Sequence, residues 1–150
     1  MPVDEEPVAY VTFAAAHAAG IAVLARAEGW PTFGDEDRVR RLFSAPGTCG
    51  VVAVREEPGR AGAAPVAVVG AGHLLTDGHH AYLTFLAVRA DLRGRGIGRR
   101  LVREAFEASG AVRIDLLSTP DSNGFYRGLP HTDFAGFRLY PSSGAVSPST

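Results

Sequence analysis

Residues 81–110 read AYLTFLAVRADLRGRGIGRRLVREAFEASG, and three patterns meet inside them. The apolar run AYLTFLAV (81–88) has the composition of a strand. RGRGIG (93–98) then sets glycines at every second position, with arginines before and between them. From Ile97 the period changes: Ile97, Leu101, Ala105 and Ala108 fall on one helical face, and Gly110 ends the helix. A strand, a glycine loop and a helix in this order make an anion site on physical grounds. The free N–H groups of the first helical turn point at the loop, and the helix dipole adds partial positive charge. Gly94, Gly96 and Gly98 leave no Cβ to hold phosphate oxygens away, while Arg93 and Arg95 supply charge-assisted donors. The alternative is a glycine-rich turn with no ligand.

The spacing narrows the choice of phosphate ligand. A Walker loop needs Lys-Ser/Thr after the glycines, and Arg99-Arg100 stand there instead. A dinucleotide fingerprint needs G-x-G-x-x-G early in a parallel sheet, with an acidic residue about 20 positions on. Here the spacing is G-x-G-x-G, and Asp115 is alone in an apolar strand. The other glycine pair, Gly70 and Gly72 in VVGAGHLL, has no following helix and reads as a kinked or bulged strand.

Working outward, PVAYVTF (7–13) reads as a first strand. AAAHAAGIAVLARAEG (14–29) reads as a helix capped by Gly29. WPTFG is a loop. DEDRVRRLF (35–43) is a second helix with its acids first and arginines later, burying Val39, Leu42 and Phe43. TCGVVAVREE and PVAVVGAGHLLT form a hairpin across the turn PGRAGAA, and HAYLTFLAVRA is the fourth strand. AVRIDLLS is a fifth strand, DSNGFYRGL a short helix and FAGFRLY a last strand. The class is mixed α/β, with antiparallel hairpins first and a strand–helix–strand unit in the middle. One domain spans residues 1–140, and the Ser/Pro-rich segment 141–150 reads as a loose tail.

Composition agrees with this and excludes several functions. A chain of 150 residues with 46% hydrophobic content can bury a real core, and a formal charge of −1 argues against a nucleic-acid partner. The single Cys49 lies in an apolar strand and reads as a buried structural thiol. No segment approaches the roughly 20 apolar residues that span a bilayer. The start MPVDEEPVAY lacks the features of a signal peptide, so a cytoplasmic location without membrane association is expected. The five histidines are scattered, so no metal site is expected.

LAVRADLRGRGIGRRLV (86–102) strongly resembles the signature of the GCN5-related N-acetyltransferases (GNAT), R/Q-x-x-G-x-G/A, which closes on the pyrophosphate of coenzyme A. Arg93, Gly94, Gly96, Ile97 and Gly98 match it position by position, with Ala90 at the family's frequent proline. GFYRGL followed by GFRLY resembles the family's Phe-Tyr helix and GF strand, through Phe125, Tyr126, Gly136 and Phe137. The resemblance implies a mostly antiparallel central sheet with helices on both faces and a splayed pair of strands 4 and 5. It implies an acetyl-CoA-dependent N-acetyltransferase that uses no metal and acts on a primary amine of a small molecule or a protein. A homodimer is compatible with it. A non-catalytic acyl-CoA sensor or interaction module on the same fold is the rival reading.

The resemblance also assigns roles. The Leu86 N–H faces the acetyl carbonyl, a fixed donor of the kind worth a few kcal/mol in catalysis. Ala87 and Val88 hold the pantetheine arm, while Arg93, Gly94, Arg95, Gly96, Ile97, Gly98 and Arg99 hold the pyrophosphate. Tyr126 is the general acid. Thr119 stands where the family often has Asn, so Ser118, Thr119 or Asn123 takes up that arm contact. Tyr82 occupies the position of the Glu that serves as base in certain relatives. His80, two residues earlier on the same strand face, is the candidate base, since an imidazole is the side chain suited to take a proton near neutral pH; its alternatives are a hairpin-end role or a water chain flanked by Tyr82 and Thr84. Trp30 and Phe33, with Glu28 or Asp35, are the acceptor-side candidates, against a bland role as staple and cap.

Overall fold

The computed structural model describes residues 7–57 and 66–142. The chain divides into two compact units, Met1–Asp115 and Leu116–Thr150.

In the first unit, strands β1 (Ala9–Thr12), β2 (Thr48–Glu56), β3 (Val66–Thr76), β4 (His80–Val88) and β5 (Arg113–Asp115) lie side by side in sequence order. β1 to β4 pair antiparallel, and β4 pairs parallel with β5. A parallel neighbour needs a crossover, which helix α3 (Ile97–Ser109) supplies. The expected turn at 58–64 lies outside the described residues, but Glu56 pairs with Val66 and the hairpin is closed.

Helix α1 (Ala18–Ala27) follows a short 3-10 turn at Ala15–His17. It ends as expected at Gly29, whose φ of 77° lets its N–H reach the Arg26 carbonyl while the Trp30 N–H reaches that of Ala25. Helix α2 (Glu36–Phe43) starts at Asp35, which accepts the Arg38 N–H at 2.8 Å. Asp35 is therefore a helix cap.

The helices cover both faces of the sheet. Ile21, Ala22 and Ala25 of α1 and Val39 and Phe43 of α2 pack with Val52, Ala71, Phe85 and Ala87 of the strands. The Cys49 sulfur, one residue from Gly50 on β2, lies instead against the Ala105 carbonyl of α3, while Gly50 faces Phe43. Burial raises the Cys49 pKa, in keeping with a structural thiol. A Cβ on Gly70 would lie 3.0 Å from Leu101 Cδ1 and 3.2 Å from the Ala87 carbonyl, so this glycine lets α3 close on the sheet. The kinked-strand reading of VVGAGHLL holds: β3 shifts register against β2 at Ala53/Val54 and against β4 at His73/Leu74. Ala108 departs from expectation and is exposed at the last turn of α3.

The second unit holds helix α4 (Pro120–Arg127), opened by a capping box between Thr119 and Ser122. The expected last strand at 134–140 does not form, and Phe134 and Phe137 are each 84% exposed. Strands exist only where N–H and C=O groups find a ladder, and no strand of this unit offers one among its described residues. For the same reason the fifth strand is shorter than AVRIDLLS: only Arg113–Asp115 pair with β4.

Candidate active site

After β4 a 3-10 turn at Ala90–Leu92 buries Leu92 and delivers the chain into the glycine loop. Gly94 and Gly96 have φ of 78° and 83°, and a Cβ on either would meet nothing within 4 Å. Backbone hand rather than packing therefore requires glycine here, and the space in front of the loop is open. Gly96 is the N-cap of α3 and offers no side-chain acceptor. The first intrahelical bond runs from the Arg100 N–H to the Gly96 carbonyl at 3.0 Å, so the N–H groups of Ile97 and Gly98 precede it. These donors, with the helix dipole and Arg93, make a concentrated positive site. Arg93 is paired with Glu28, the C-cap residue of α1.

The backbone of β4 supplies the second half of the site. The β4–β5 ladder stops at Tyr82↔Asp115, while β4 runs on to Val88 paired, among the described strands, with β3 only. The orientation of this edge follows from two hydrogen bonds. The Asp77 N–H donates to the His80 carbonyl, so His80 faces β3; the Arg89 N–H donates to the Val69 carbonyl, so Arg89 faces β3 too. Strict alternation cannot put an even and an odd residue on the same edge. A bulge reconciles them: Leu83 pairs with Leu74 and Phe85 with His73, skipping Thr84. Beyond it Phe85, Ala87 and Arg89 face β3, and the backbone groups of Leu86 and Val88 face the open edge.

The other expected site residues are placed as follows. His80 sits at the hairpin end of β4, its N–H and ring Nδ1 held by Asp77 at 2.7 and 3.3 Å. These bonds, with that from the His79 N–H, hold the Asp77 carboxyl well below its usual range. Leu86 lies six residues along β4, roughly 20 Å at a strand's rise. His80 and Leu86 are therefore not brought together. Tyr82 and His80 line a separate cavity of about 390 Å³ with Leu75, Thr76 and Asp115. Phe33 is core, 5% exposed and 4.5 Å from the Phe85 ring, while Trp30 is half-buried edge-on to Phe85. In the second unit Tyr126 is half-buried, and burial pushes its phenol up to about 12. Thr119 caps α4, and Asn123 accepts the Ser118 hydroxyl at 3.1 Å.

The sequence reading missed His73. It is 3% exposed, with Nδ1 2.5 Å from the Thr84 hydroxyl and Nε2 3.1 Å from the Leu42 carbonyl. A histidine within VVGAGHLL was the available signal, because a polar residue in an apolar strand must find partners. The Thr84 hydroxyl is thereby turned to His73. The pairing of Arg93 with Glu28 was also missed, since nothing local links positions so distant in the chain.

Comparisons with known proteins agree with this geometry. The model of the acetyltransferase (GNAT) family matches residues 20–129. Among curated proteins none matches. An aminoglycoside acetyltransferase from an uncultured soil metagenomic sample, solved with sisomicin, superposes with a TM-score of 0.69 at 15% identity, over 91% of this chain and 96% of that one. The ribosomal-protein-alanine N-acetyltransferase of Brucella melitensis biovar Abortus 2308 gives 0.65 at 16% identity, over 89% and 99%. An aminoglycoside N-acetyltransferase in complex with CoA gives 0.66 at 13% identity, over 94% and 99%. At these identities the likeness is one of fold. Because the family match spans the strand, glycine loop and helix that build the site, the chain belongs to the acetyltransferase (GNAT) family.

Proposed function

We propose that this protein transfers an acetyl group from acetyl-CoA to a primary amine of a small molecule or a protein. The observation that carries the reading is the edge of β4 beyond Tyr82, where the backbone groups of Leu86 and Val88 have no strand partner among the described residues, just before a glycine loop built for an anion. The loop fits a pyrophosphate: glycine φ values above 70° clear the space before it, and the α3 N-terminus faces that space with its donors. Arg93 to Arg99 would hold the pyrophosphate and Val88 the arm that leads toward the acyl group, whereas Ala87, expected on that arm, pairs its backbone with β3 and buries its methyl in the core. Acetyl-CoA supplies the activated thioester.

The chain's own residues then have distinct tasks. The Leu86 N–H is fixed by the sheet and donates to the carbonyl oxygen as charge develops there. The family resemblance gives Tyr126 the role of proton donor to the thiolate, and burial, which raises its phenol, keeps it protonated at neutral pH. Full proton transfer from so weak an acid to a thiolate of pKa about 8.5 is uphill, so water completes it. The ammonium proton of the acceptor leaves by water, because His80 is held by Asp77 at the far end of β4. Trp30, half-buried where α1 ends, is the candidate for the acceptor side, and the similarly folded enzymes include an aminoglycoside acetyltransferase and a ribosomal-protein-alanine N-acetyltransferase.

The test is a panel of amines with acetyl-CoA, read by thiol release, beside the thermal shift caused by coenzyme A. Transfer to at least one amine and a rise in Tm support the reading. A rise in Tm without transfer across the panel favours an acyl-CoA sensor, and no rise contradicts both.

A further inference from the structure

The bulge that turns Leu86 outward is held by side chains, and those side chains are not part of the acetyl-CoA contacts. Thr84 is the residue skipped in the pairing of β4 with β3, and its hydroxyl lies 2.5 Å from His73 Nδ1 and 3.1 Å from the His73 carbonyl. The other ring nitrogen, Nε2, bonds the Leu42 carbonyl, which can only accept. In the neutral ring Nε2 therefore carries the hydrogen, Nδ1 accepts, and Thr84 donates to it. Leu42 is in the last turn of α2, so the ring also satisfies a carbonyl that the helix leaves open. Phe43 and Phe33 close over the ring, with centroids at 4.7 and 5.9 Å.

We infer that the His73–Thr84 hydrogen bond is the pin of the β4 bulge, and that His73 is thereby a positioning residue for the Leu86 N–H. The reasoning is one of parity. Without the extra residue at Thr84, the alternation running from His80 would turn Leu86 and Val88 toward β3 and bury the donor in the ladder. A bulge leaves its extra residue outside the ladder, so something else must hold that residue in place. Here the one hydrogen of the extra residue's hydroxyl goes to the ring nitrogen of the residue opposite, at 2.5 Å, and the same oxygen lies 3.1 Å from that residue's carbonyl. α2 braces the ring from behind through Leu42. The inference rests on the acyl-transfer reading, because a donor at Leu86 matters only if an acyl oxygen meets it.

Two variants of the full chain test it. Thr84→Val keeps the shape and removes the hydroxyl, while Thr84→Ser keeps the hydroxyl. In Thr84→Val, kcat should fall about tenfold with the KM for acetyl-CoA and the Kd for coenzyme A within twofold of the parent, since the pyrophosphate loop is untouched and only the donor is displaced. Amide hydrogen exchange at Phe85 and Ala87, which face β3, should speed up about tenfold, reporting a loosened ladder. Thr84→Ser should rescue most of both effects. An unchanged kcat in Thr84→Val at a temperature well below its Tm overturns the positioning role, and unchanged exchange overturns the pin. A parent that neither binds coenzyme A nor transfers an acyl group sinks the proposed function instead, and the exchange comparison then decides the pin alone.

Discussion

Arg93 of the glycine loop is paired with Glu28 at the end of α1, so one member of the anion site already has a carboxylate partner. The Arg93 side chain is 57% exposed and that of Glu28 15% exposed, which puts the pair at the mouth of the site rather than inside the core. A phosphate arriving at the loop competes with Glu28 for the same guanidinium. Glu28→Gln should therefore tighten coenzyme A binding by about two- to fivefold, the scale of a partly exposed ion pair. Calorimetric titration checks this, and weaker binding would show that Glu28 orients Arg93 for the ligand instead of competing with it.

Gly70→Ala should destabilise the fold by about 1–3 kcal/mol, because the new methyl meets Leu101, Ile97 and a backbone carbonyl at 3.0–3.4 Å. Gly72→Ala should cost far less, since its nearest neighbour is Leu86 Cδ1 at 3.6 Å. Urea denaturation of the two variants makes the comparison. Equal losses would mean that α3 does not rest on Gly70.

Stability should fall as the pH drops through the range where a free imidazole titrates. Burial lowers the His73 pKa, and the groups facing its ring are the Leu42 carbonyl, the Thr84 hydroxyl, Phe33 and Phe43. Below the unfolded value, near 6.5, the unfolded chain takes up a proton that the folded chain refuses. The contribution is thus fully present above that value and lost beneath it, at up to about 1.4 kcal/mol per pH unit until the folded ring titrates. His17 is shifted the same way, so the measurement belongs in a His17→Gln background. A flat unfolding free energy between pH 7.5 and 5 in that background would contradict a buried neutral His73.

Tyr126→Phe should lower kcat while leaving coenzyme A binding nearly intact, because it removes only a proton donor. With its phenol pushed up to about 12, Tyr126 should contribute no alkaline fall in kcat below pH 10. An alkaline limb near 10 that disappears in Tyr126→Phe would mean that the phenol titrates as an exposed tyrosine.

Local chemistry made much of this legible in the sequence. Gly29, Asp35 and Gly110 mark helix ends by rules that need no tertiary structure, and all three stand at those ends. Alternation and period likewise found β1 to β4 and α3. Pairing was harder to foresee. FAGFRLY has the composition of a strand, but composition does not provide a ladder, and Phe134 and Phe137 stay exposed. Sharing a strand face suggested that His80 could serve the chemistry at Leu86, yet the two lie at opposite ends of β4 and on opposite sides of a bulge. That bulge depends on a contact between β3 and β4, and no window of sequence contains it.

The most direct test of the account is coenzyme A affinity in two variants of one glycine. Gly96 has φ of 83°, where Asp and Asn are the side chains best tolerated, and the two are nearly the same shape. Gly96→Asn carries the strain of the substitution without a charge, and Gly96→Asp adds a negative charge at the α3 N-terminus. If the loop receives the pyrophosphate, isothermal titration should show Gly96→Asp binding coenzyme A at least about tenfold more weakly than Gly96→Asn, with the gap narrowing as salt is raised. Equal affinities in the two variants at low salt would contradict the assignment of this loop to coenzyme A.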